Sequence, residues 1–403
     1  MHPIRVTWNE HRETLKLLLR LMIVAWAFGM LAYFIGVMDW GQGGKRALLL
    51  AFLLVLVPVF SHWAGAAKIA TTKLALLILV LASVGLFSRH LVVFTSNIEN
   101  PRVIDIATTT VSAAHAFASG KNPYTEPIDP QPNMRKGDLT FDGYKYLPVM
   151  PLAYLPLTAF WGNQGILVTN LIADLLVMLL IFQLGRTIGH AGVGLYACLL
   201  YLAVPFVPVE LFRQGVTELI PIVFLMLGLL CSQRRSGLSG FWVGLSVSAK
   251  LLPGLLFLPC CLPPEHRGRY LLGVICGCIP VLVFLLLSPQ ELYSNIVLFN
   301  LFRPADSTSW LFGMPPWLSS SVRYAFMVFF LAICAFAWFR KTTLSDRLCL
   351  ALLCILGTIL SGPTSHLNYQ LWWLPFYVVL IAVVSFANIS FVRASSIVEP
   401  VKS

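Results

Sequence analysis

The sequence predicts an all-α polytopic membrane protein. Hydrophobic residues make up 58% of the 403 positions and charged residues 11%, whereas soluble domains are roughly half apolar and a quarter charged. Apolar runs long enough to cross a hydrocarbon core of about 30 Å recur along the chain. We therefore predict a single membrane domain over residues 1–403, with roughly ten spanning helices and no separate soluble domain.

The first three spans are predicted at residues 15–37, 47–63 and 74–95. The first follows a basic stem, is too long for a signal-peptide core and lacks a convincing cleavage site, so we expect an uncleaved anchor with a cytoplasmic N-terminus. Basic residues that flank apolar spans also account for the formal net charge of +11. No nucleic-acid partner is expected.

Residues 96–146 form a hydrophilic island in this apolar chain. The predicted membrane topology places them outside, as the first catalytic extracytoplasmic loop. Within the island, apolar residues recur at the spacing of an amphipathic helix, at positions 104, 107, 111, 114 and 118. Asp105 lies in the first turn of this helix, where the macrodipole favours a carboxylate. A structural N-terminal charge is therefore one interpretation of Asp105.

The next segment, 147–161, contains Pro148, Pro151 and Pro156. Each proline removes a backbone donor, so we predict a re-entrant or interfacial segment rather than a regular spanning helix. With that assignment Arg234 and Arg235 remain cytoplasmic, as the positive-inside rule requires. The spans between these points are predicted at 163–184, 191–208 and 216–232.

Segment 238–262 has basic residues at both ends and Lys250-Leu251-Leu252-Pro253 in its middle, which favours a broken helical hairpin that enters and returns on one side. The remaining spans are predicted at 270–288, 322–339, 348–361 and 370–388. This threading places the second long loop, 289–321, and the late loop, 361–369, on the same face as the island.

The nine cysteines all fall within or at the ends of apolar spans, and none lies in the island. This distribution argues against a disulfide framework and against a CxxC zinc site. We predict no metal site and no cofactor.

Three groups of motifs follow one another over roughly residues 100–380. In order they are Asp105 with Gly120-Lys121-Asn122-Pro123-Tyr124 and Tyr146-Leu147-Pro148; Arg213-Gln214-Gly215-Val216-Thr217-Glu218 with Lys250-Leu251-Leu252-Pro253; and Ser361-Gly362-Pro363-Thr364-Ser365-His366-Leu367-Asn368-Tyr369 with Trp372-Trp373-Leu374-Pro375. Their order, spacing and outward placement resemble the family 87 glycosyltransferases. These are GT-C membrane enzymes typified by polyprenyl-phosphate-mannose-dependent α-mannosyltransferases.

The resemblance implies transfer of a hexose, typically mannose, from a polyprenyl-phosphate donor to an extracytoplasmic lipid or glycan acceptor, with inversion. It also implies a bacterial cytoplasmic membrane. Asp105 matches the aspartate that serves as general base, since the acceptor hydroxyl must lose a proton as it attacks. The chain departs from the family pattern at two places: Thr108–Thr110 replace tyrosines, and Tyr146-Leu147-Pro148 replaces Tyr-Pro-Pro. These departures bear on the identity of the sugar more than on the class of reaction.

The leaving phosphate needs positive charge or hydrogen-bond donors. His366, in the late loop, is a candidate ligand of the donor phosphate or the acceptor, with a structural histidine as the alternative. Arg303 is a second candidate, and the alternative is a loop arginine paired with Asp306. Tyr124 and Tyr369, within the matched motifs, are predicted to contact substrate.

Lys250 and Asp174 both fall well inside apolar segments, where a charge costs about 2.5–3.5 kcal/mol on insertion scales. Each therefore needs a partner. One hypothesis pairs the two at mid-membrane, and the other lets Lys250 bind the donor phosphate. Gln214 and Glu218 border the same outer face and could bind sugar hydroxyls or simply cap a short turn.

Two other classes of function fit part of the pattern. A transporter or flippase of a lipid-linked glycan would also use broken helices and midplane charges, although no clear internal repeat is visible. A lipid-linked-glycan polymerase or ligase would share the outward site, but we would expect more arginines there. The concentration of polar residues in outward loops favours a transferase with a lipid donor.

Overall fold

The structure is a computed structural model, and it describes residues 73–128, 135–136, 139–251, 254, 266–302, 311, 314–340, 342–361 and 367–395. All of these residues belong to one compact unit, Ser61–Ser403. The predicted spans at 15–37 and 47–63 lie outside the described residues, as do Arg303 and His366.

The described chain is helical apart from one short hairpin. The helices are α1 Lys73–Ile98, α2 Asp105–Ala118, α3 Val149–Trp161, α4 Asn163–Ile188, α5 Ala191–Ala203, α6 Phe206–Val209, α7 Leu219–Cys231, α8 Ser236–Ala249, α9 Arg267–Gly277, α10 Ile279–Leu287, α11 Pro289–Leu292, α12 Phe299–Phe302, α13 Pro316–Phe339, α14 Leu344–Ser361 and α15 Gln370–Ser395. Two π-helical turns, Glu210–Gln214 and Tyr293–Leu298, and a 3₁₀ turn, Leu367–Tyr369, join neighbouring helices. The antiparallel strands β1 Arg135–Lys136 and β2 Leu139–Thr140 pair within the island.

These helices confirm the prediction of an all-α polytopic membrane protein. By length and composition, α4 and Trp317–Phe339 of α13 are able to cross a membrane, and two bent pairs, α5 with Phe206–Gln214 and α9 with α10, each pass the same test together. Most of α13 turns large apolar side chains outward, with Leu331 63% and Phe339 79% exposed. A helix face of this kind is stable against lipid rather than water.

Two predicted spans are broken. The α5–α6 pair bends by 61°, and the α9–α10 pair bends by 50°. Pro205 lies in the first break and Pro280 lies in the first turn of α10 after the second. A proline removes a backbone donor and clashes with the preceding turn, which accounts for both bends.

The segment predicted at 147–161 is the 13-residue helix α3, which begins at Val149 directly after Pro148. At 1.5 Å per residue it is about 20 Å long, too short to cross a core of about 30 Å. The structure therefore agrees that this segment is not a regular spanning helix, while its position in the membrane stays a prediction. Helix α8 ends at Ala249, and most of the second half of the predicted hairpin lies outside the described residues.

Helix α4 contacts α1, α2, α3, α5, α7 and α15. Two buried polar residues one turn apart, Asn170 and Asp174, hold it in place. Asn170 donates to the carbonyls of Leu211 and Val216, each at 2.9 Å, and accepts from the Tyr154 hydroxyl at 2.6 Å. These bonds connect α4 to α3 and to the π turn that follows α6.

Asp174 does not pair with Lys250, so that hypothesis is wrong. Its Oδ2 lies 2.8 Å from Nδ1 of His90 in α1, and its Oδ1 accepts from the Tyr201 hydroxyl of α5 at 2.7 Å. All three side chains are fully buried. The need of a buried carboxylate for hydrogen-bonding partners is thus met by two neighbouring helices.

We expect Asp174→Ala to destabilise the bundle by about 3–5 kcal/mol, because it leaves the His90 ring and the Tyr201 hydroxyl buried without their partner. Thermal unfolding in detergent would measure the loss. Asp174→Asn, which keeps a hydrogen-bonding group in place, should lose much less, and the outward-facing Leu179→Ala, at a position 53% exposed, should lose little. Equal effects for all three substitutions would contradict this role.

Candidate active site

Asp105 is the first residue of α2, as the amphipathic pattern predicts. Its side chain is exposed, and its Oδ1 accepts a hydrogen bond from the backbone N–H of Ile106 at 2.8 Å. Because the second carboxylate oxygen is not used in this bond, Asp105 can accept a proton from a bound molecule without a rearrangement of α2.

The start of α2 is attached to the motif segment that ends at Glu218. The N–H of Ile104 donates to the carbonyl of Gln214 at 2.9 Å. The next residue, Gly215, has φ +69°, a left-handed conformation that favours glycine, and a Cβ there would lie 2.6 Å from Cγ1 of Val103. Glycine therefore permits the close approach that positions Asp105.

The motif around Asn122 and Tyr124 organises the interior of the island. The Asn122 side chain accepts from the N–H of Tyr124 at 3.0 Å and donates to Ser288 Oγ at 3.0 Å. Tyr124 donates its hydroxyl to the carbonyl of Tyr146 at 2.8 Å, and Asn295 donates to the carbonyl of Tyr124 at 3.4 Å. The chain around Ser288 and Asn295, where the second loop begins, therefore packs on the island.

Three tyrosines are clustered in this interior. The Tyr144 hydroxyl lies 3.2 Å from Thr110 Oγ1 of α2, and its ring packs between those of Tyr124 and Tyr146. Burial raises the pKa of the Tyr124, Tyr144 and Tyr146 phenols. All three therefore stay neutral at physiological pH and can act as hydrogen-bond donors.

Lys250 forms a buried ion pair with Glu218. Helix α8 ends at Ala249, and Lys250 has the extended backbone φ −148°, ψ 119°. Its Nζ lies 2.7 Å from both Oε1 and Oε2 of Glu218. The Lys250 side chain is 10% exposed and that of Glu218 is fully buried. The charge that the sequence places inside an apolar segment is thus neutralised by the residue that precedes α7.

Residues of the island, of the 3₁₀ turn and of α15 also contact this ion pair. Asn368 donates to Oε1 of Glu218 at 2.8 Å, and the indole N–H of Trp372 donates to Oε2. Three rings lie over the Lys250 Nζ: Tyr146 at 5.1 Å, Trp372 at 5.1 Å and Tyr369 at 5.5 Å from their centroids. The cation is therefore surrounded by a carboxylate and aromatic faces, which attract it.

Tyr146 connects α2 to the ion pair. This half-buried ring packs against an apolar cluster that includes Ala107 of α2 and Ala249, the residue before Lys250. After burial and the neighbouring Tyr369, the carboxylate of Glu218 and then that of Asp105 contribute to the raised pKa of Tyr146. The negative charge of both carboxylates thus disfavours ionisation of this one phenol.

The structure brings together three of the predicted site residues, Glu218, Lys250 and Tyr369. Asp105 begins the helix that packs on the same Tyr146 through Ala107. Gln214 is half-buried, and its contribution here is the backbone carbonyl that binds Ile104. Tyr124 is only 2% exposed, so it would act on a bound molecule through Tyr146 rather than by contact. Among the described residues no group of three or more His, Cys, Asp or Glu side chains could hold a metal ion.

Sequence reasoning did not select Tyr146, Asn368 or Trp372 as site residues. All three lie inside the motifs that carry the family resemblance, which was the available signal. Trp372 resembles an interfacial anchor in the sequence, because aromatic residues at the ends of spans usually have that role. In the structure it is 3% exposed and hydrogen-bonded to Glu218.

No protein-family model matches the chain, and no curated protein sequence matches it significantly. Two solved structures are similar to it. The crystal structure of ArnT from Cupriavidus metallidurans bound to undecaprenyl phosphate has a TM-score of 0.48 and 16% identity, and covers 77% of this chain and 63% of its own. The apo structure of the same protein has a TM-score of 0.45, with the same identity and coverage. The chain thus spans 63% of the length of these neighbours.

Proposed function

We propose that this membrane protein is a GT-C glycosyltransferase that moves a hexose, with mannose as the proposed sugar, from a polyprenyl-phosphate donor to a lipid or glycan acceptor. One observation carries the proposal: the helix that begins with the exposed carboxylate of Asp105 and the buried cation Lys250 both adjoin Tyr146, at the end of a polar island. A base and a cation at one site are what a displacement of phosphate from a sugar requires.

In the proposed reaction, Asp105 accepts the proton of an acceptor hydroxyl while that oxygen attacks the anomeric carbon of the donor. The bond between this carbon and the phosphate oxygen breaks, and the electron pair leaves with the phosphate. Lys250 stabilises the charge that develops on the leaving group, in an environment that the surrounding rings keep poor in water. Attack opposite to the leaving group inverts the anomeric carbon.

The island faces the extracytoplasmic side in this proposal, as the distribution of basic residues requires. Polyprenyl-phosphate sugars and their acceptors would then meet at the outer surface of the membrane. A cysteine introduced at the exposed Ser119 should react with a membrane-impermeant thiol reagent added to intact cells. Reaction only after the membrane is permeabilised would reverse the orientation.

The activity is tested by incubating purified protein with labelled polyprenyl-phosphate mannose and a panel of lipid and glycan acceptors. We expect the label to pass to an acceptor in an Asp105-dependent manner. Transfer only from another polyprenyl-phosphate hexose would correct the sugar and keep the reaction class. Movement of a lipid-linked glycan across reconstituted vesicles without transfer to any acceptor would instead support a transporter.

We expect Gly215→Ala to lower the rate of transfer by about 10- to 100-fold, because a displacement of about 1 Å at a reacting group can cost that much. The added Cβ would press on Val103, and the left-handed backbone would cost a further 1–2 kcal/mol or so. The matched control is Gly85→Ala in α1, where a Cβ meets no atom within 4 Å. A rate for Gly215→Ala equal to that of the control would contradict the positioning of Asp105 by this turn.

A further inference from the structure

The carboxylate of Glu218 accepts more hydrogen bonds than an ion pair with Lys250 requires. The ammonium of Lys250 contacts both oxygens at 2.7 Å, the amide of Asn368 donates to Oε1 at 2.8 Å, and the indole of Trp372 donates to Oε2. A cation and two neutral N–H donors, from α8, the 3₁₀ turn and α15, therefore converge on one anion. Together they form an anion-binding site whose occupant is a side chain of the same protein.

The donors of this site are also held by contacts other than those to Glu218. Lys250 is surrounded by the rings of Tyr146, Tyr369 and Trp372, and the Tyr369 and Trp372 rings stack at 4.5 Å. Asn368 and Trp372 are both buried. The hydrogen bonds of the Glu218 carboxylate are made with these same donors, so another anion could accept them in its place.

A phosphate fits the same donors. Its non-bridging oxygens accept charge-assisted bonds from an ammonium and bonds from neutral N–H groups, as a carboxylate does. A polyprenyl-phosphate sugar carries one negative charge at its phosphate diester, the same charge as the glutamate it would replace. After transfer the polyprenyl phosphate is a monoester that carries more negative charge, and it would remain bound unless another anion competes for Lys250.

We propose that Glu218 is an internal occupant of the phosphate site, displaced when the phosphate of the donor binds to Lys250, Asn368 and Trp372 and returning to expel the phosphate product. This inference rests on the proposed function. Glu218 is a positioning residue in this scheme, since it touches neither the sugar nor the attacking hydroxyl. It keeps the buried Lys250 charge neutralised between turnovers and limits the affinity of the site for the product.

The test compares wild type with Glu218→Gln, in which the competing charge is removed and an amide of the same shape remains. Polyprenyl monophosphate is the probe, and binding is measured by displacement of a labelled analogue in detergent. We expect the variant to bind it about tenfold more tightly, since a charge-assisted bond competes more strongly than a neutral one by about that factor. Polyprenol, which lacks the phosphate, should bind equally to both proteins.

The kinetic signature should separate release of the product from chemistry. In Glu218→Gln we expect a lower KM for the donor, a lower kcat, and stronger inhibition by added polyprenyl phosphate. Glu218→Asp, which restores the charge on a shorter side chain, should lie between wild type and Glu218→Gln, and it decides the question if Glu218→Gln does not fold. Glu126→Gln, which removes a carboxylate paired with Lys121 on the exposed surface, should match wild type.

The outcomes separate this inference from the proposed function. If wild type transfers sugar but neither Glu218 variant binds polyprenyl phosphate more tightly, Glu218 is a structural partner of Lys250 and the inference is wrong. If no sugar is transferred but Glu218→Gln binds polyprenyl phosphate more tightly than wild type, then Glu218 does occupy a phosphate site and the proposed reaction is wrong. Inorganic phosphate, added as a separate competitor, shows whether the lipid is needed for the effect.

Discussion

Asp105→Asn is expected to lower the rate of sugar transfer by about two to four orders of magnitude, the contribution typical of a general base, while the fold stays intact. Asparagine retains an oxygen that can accept from the N–H of Ile106, the hydrogen bond that Asp105 makes in the structure. Its amide cannot accept the proton of an acceptor hydroxyl. Initial rates with labelled polyprenyl-phosphate mannose, together with thermal unfolding in detergent, would measure both effects.

The matched control for this variant is Glu126→Gln, which also exchanges a carboxylate for an amide within the island. Glu126 pairs with Lys121 at 3.3 Å on the surface, where such pairs contribute little. Its rate should equal that of wild type. A wild-type rate for Asp105→Asn would reduce Asp105 to an N-terminal charge that stabilises α2, and a search for the base would have to start elsewhere in the site.

Lys250→Met should slow transfer strongly and also destabilise the protein. The leaving phosphate loses its cation, which for one stabilising group costs about 100- to 1000-fold in rate. In addition, the fully buried Glu218 is left without the charge that neutralises it, a change that typically costs about 3–5 kcal/mol. Activity and thermal stability therefore fall together in this single variant.

The double variant Lys250→Met/Glu218→Gln separates the two effects. Since it removes both charges, it should recover most of the lost stability while the rate stays low. Lys121→Met, at an exposed lysine of the island, should change neither quantity. If the double variant regains activity along with stability, then Lys250 stabilises the fold and does not contact the donor phosphate.

The predictions that rest on local pattern agree with the structure. The apolar spacing from position 104 to 118 places α2 and puts Asp105 in its first turn, because helical periodicity can be read from one segment alone. The prolines of 147–161 likewise argue against a regular spanning helix, and the segment is the short helix α3. The unbroken helices α4 and α13 follow from hydropathy.

The pairing of charges could not be predicted in the same way. The desolvation cost of Lys250 and Asp174 shows that each requires a partner, but the partner depends on how the helices are rotated about their axes. His90 and Tyr201 lie in apolar spans, and nothing in the sequence indicates that they bind Asp174. This role becomes visible only when α1 and α5 are packed against α4. The π turn at Glu210–Gln214, which brings the Gln214 carbonyl to Ile104, has no signature in composition or periodicity.

The hydrogen bond between Ile104 and Gln214 has a consequence for the behaviour of the site in bilayers of different thickness. From Gln214 to Glu218 the chain advances four residues, which span at most about 14 Å even when fully extended. The backbone positions of Asp105 and Glu218 are thus linked by one hydrogen bond and a few peptide units. A difference between the length of the spanning helices and the thickness of the bilayer tilts those helices. Such tilting would therefore change the positions of the spanning helices around the site more than the distance between the backbones of Asp105 and Glu218.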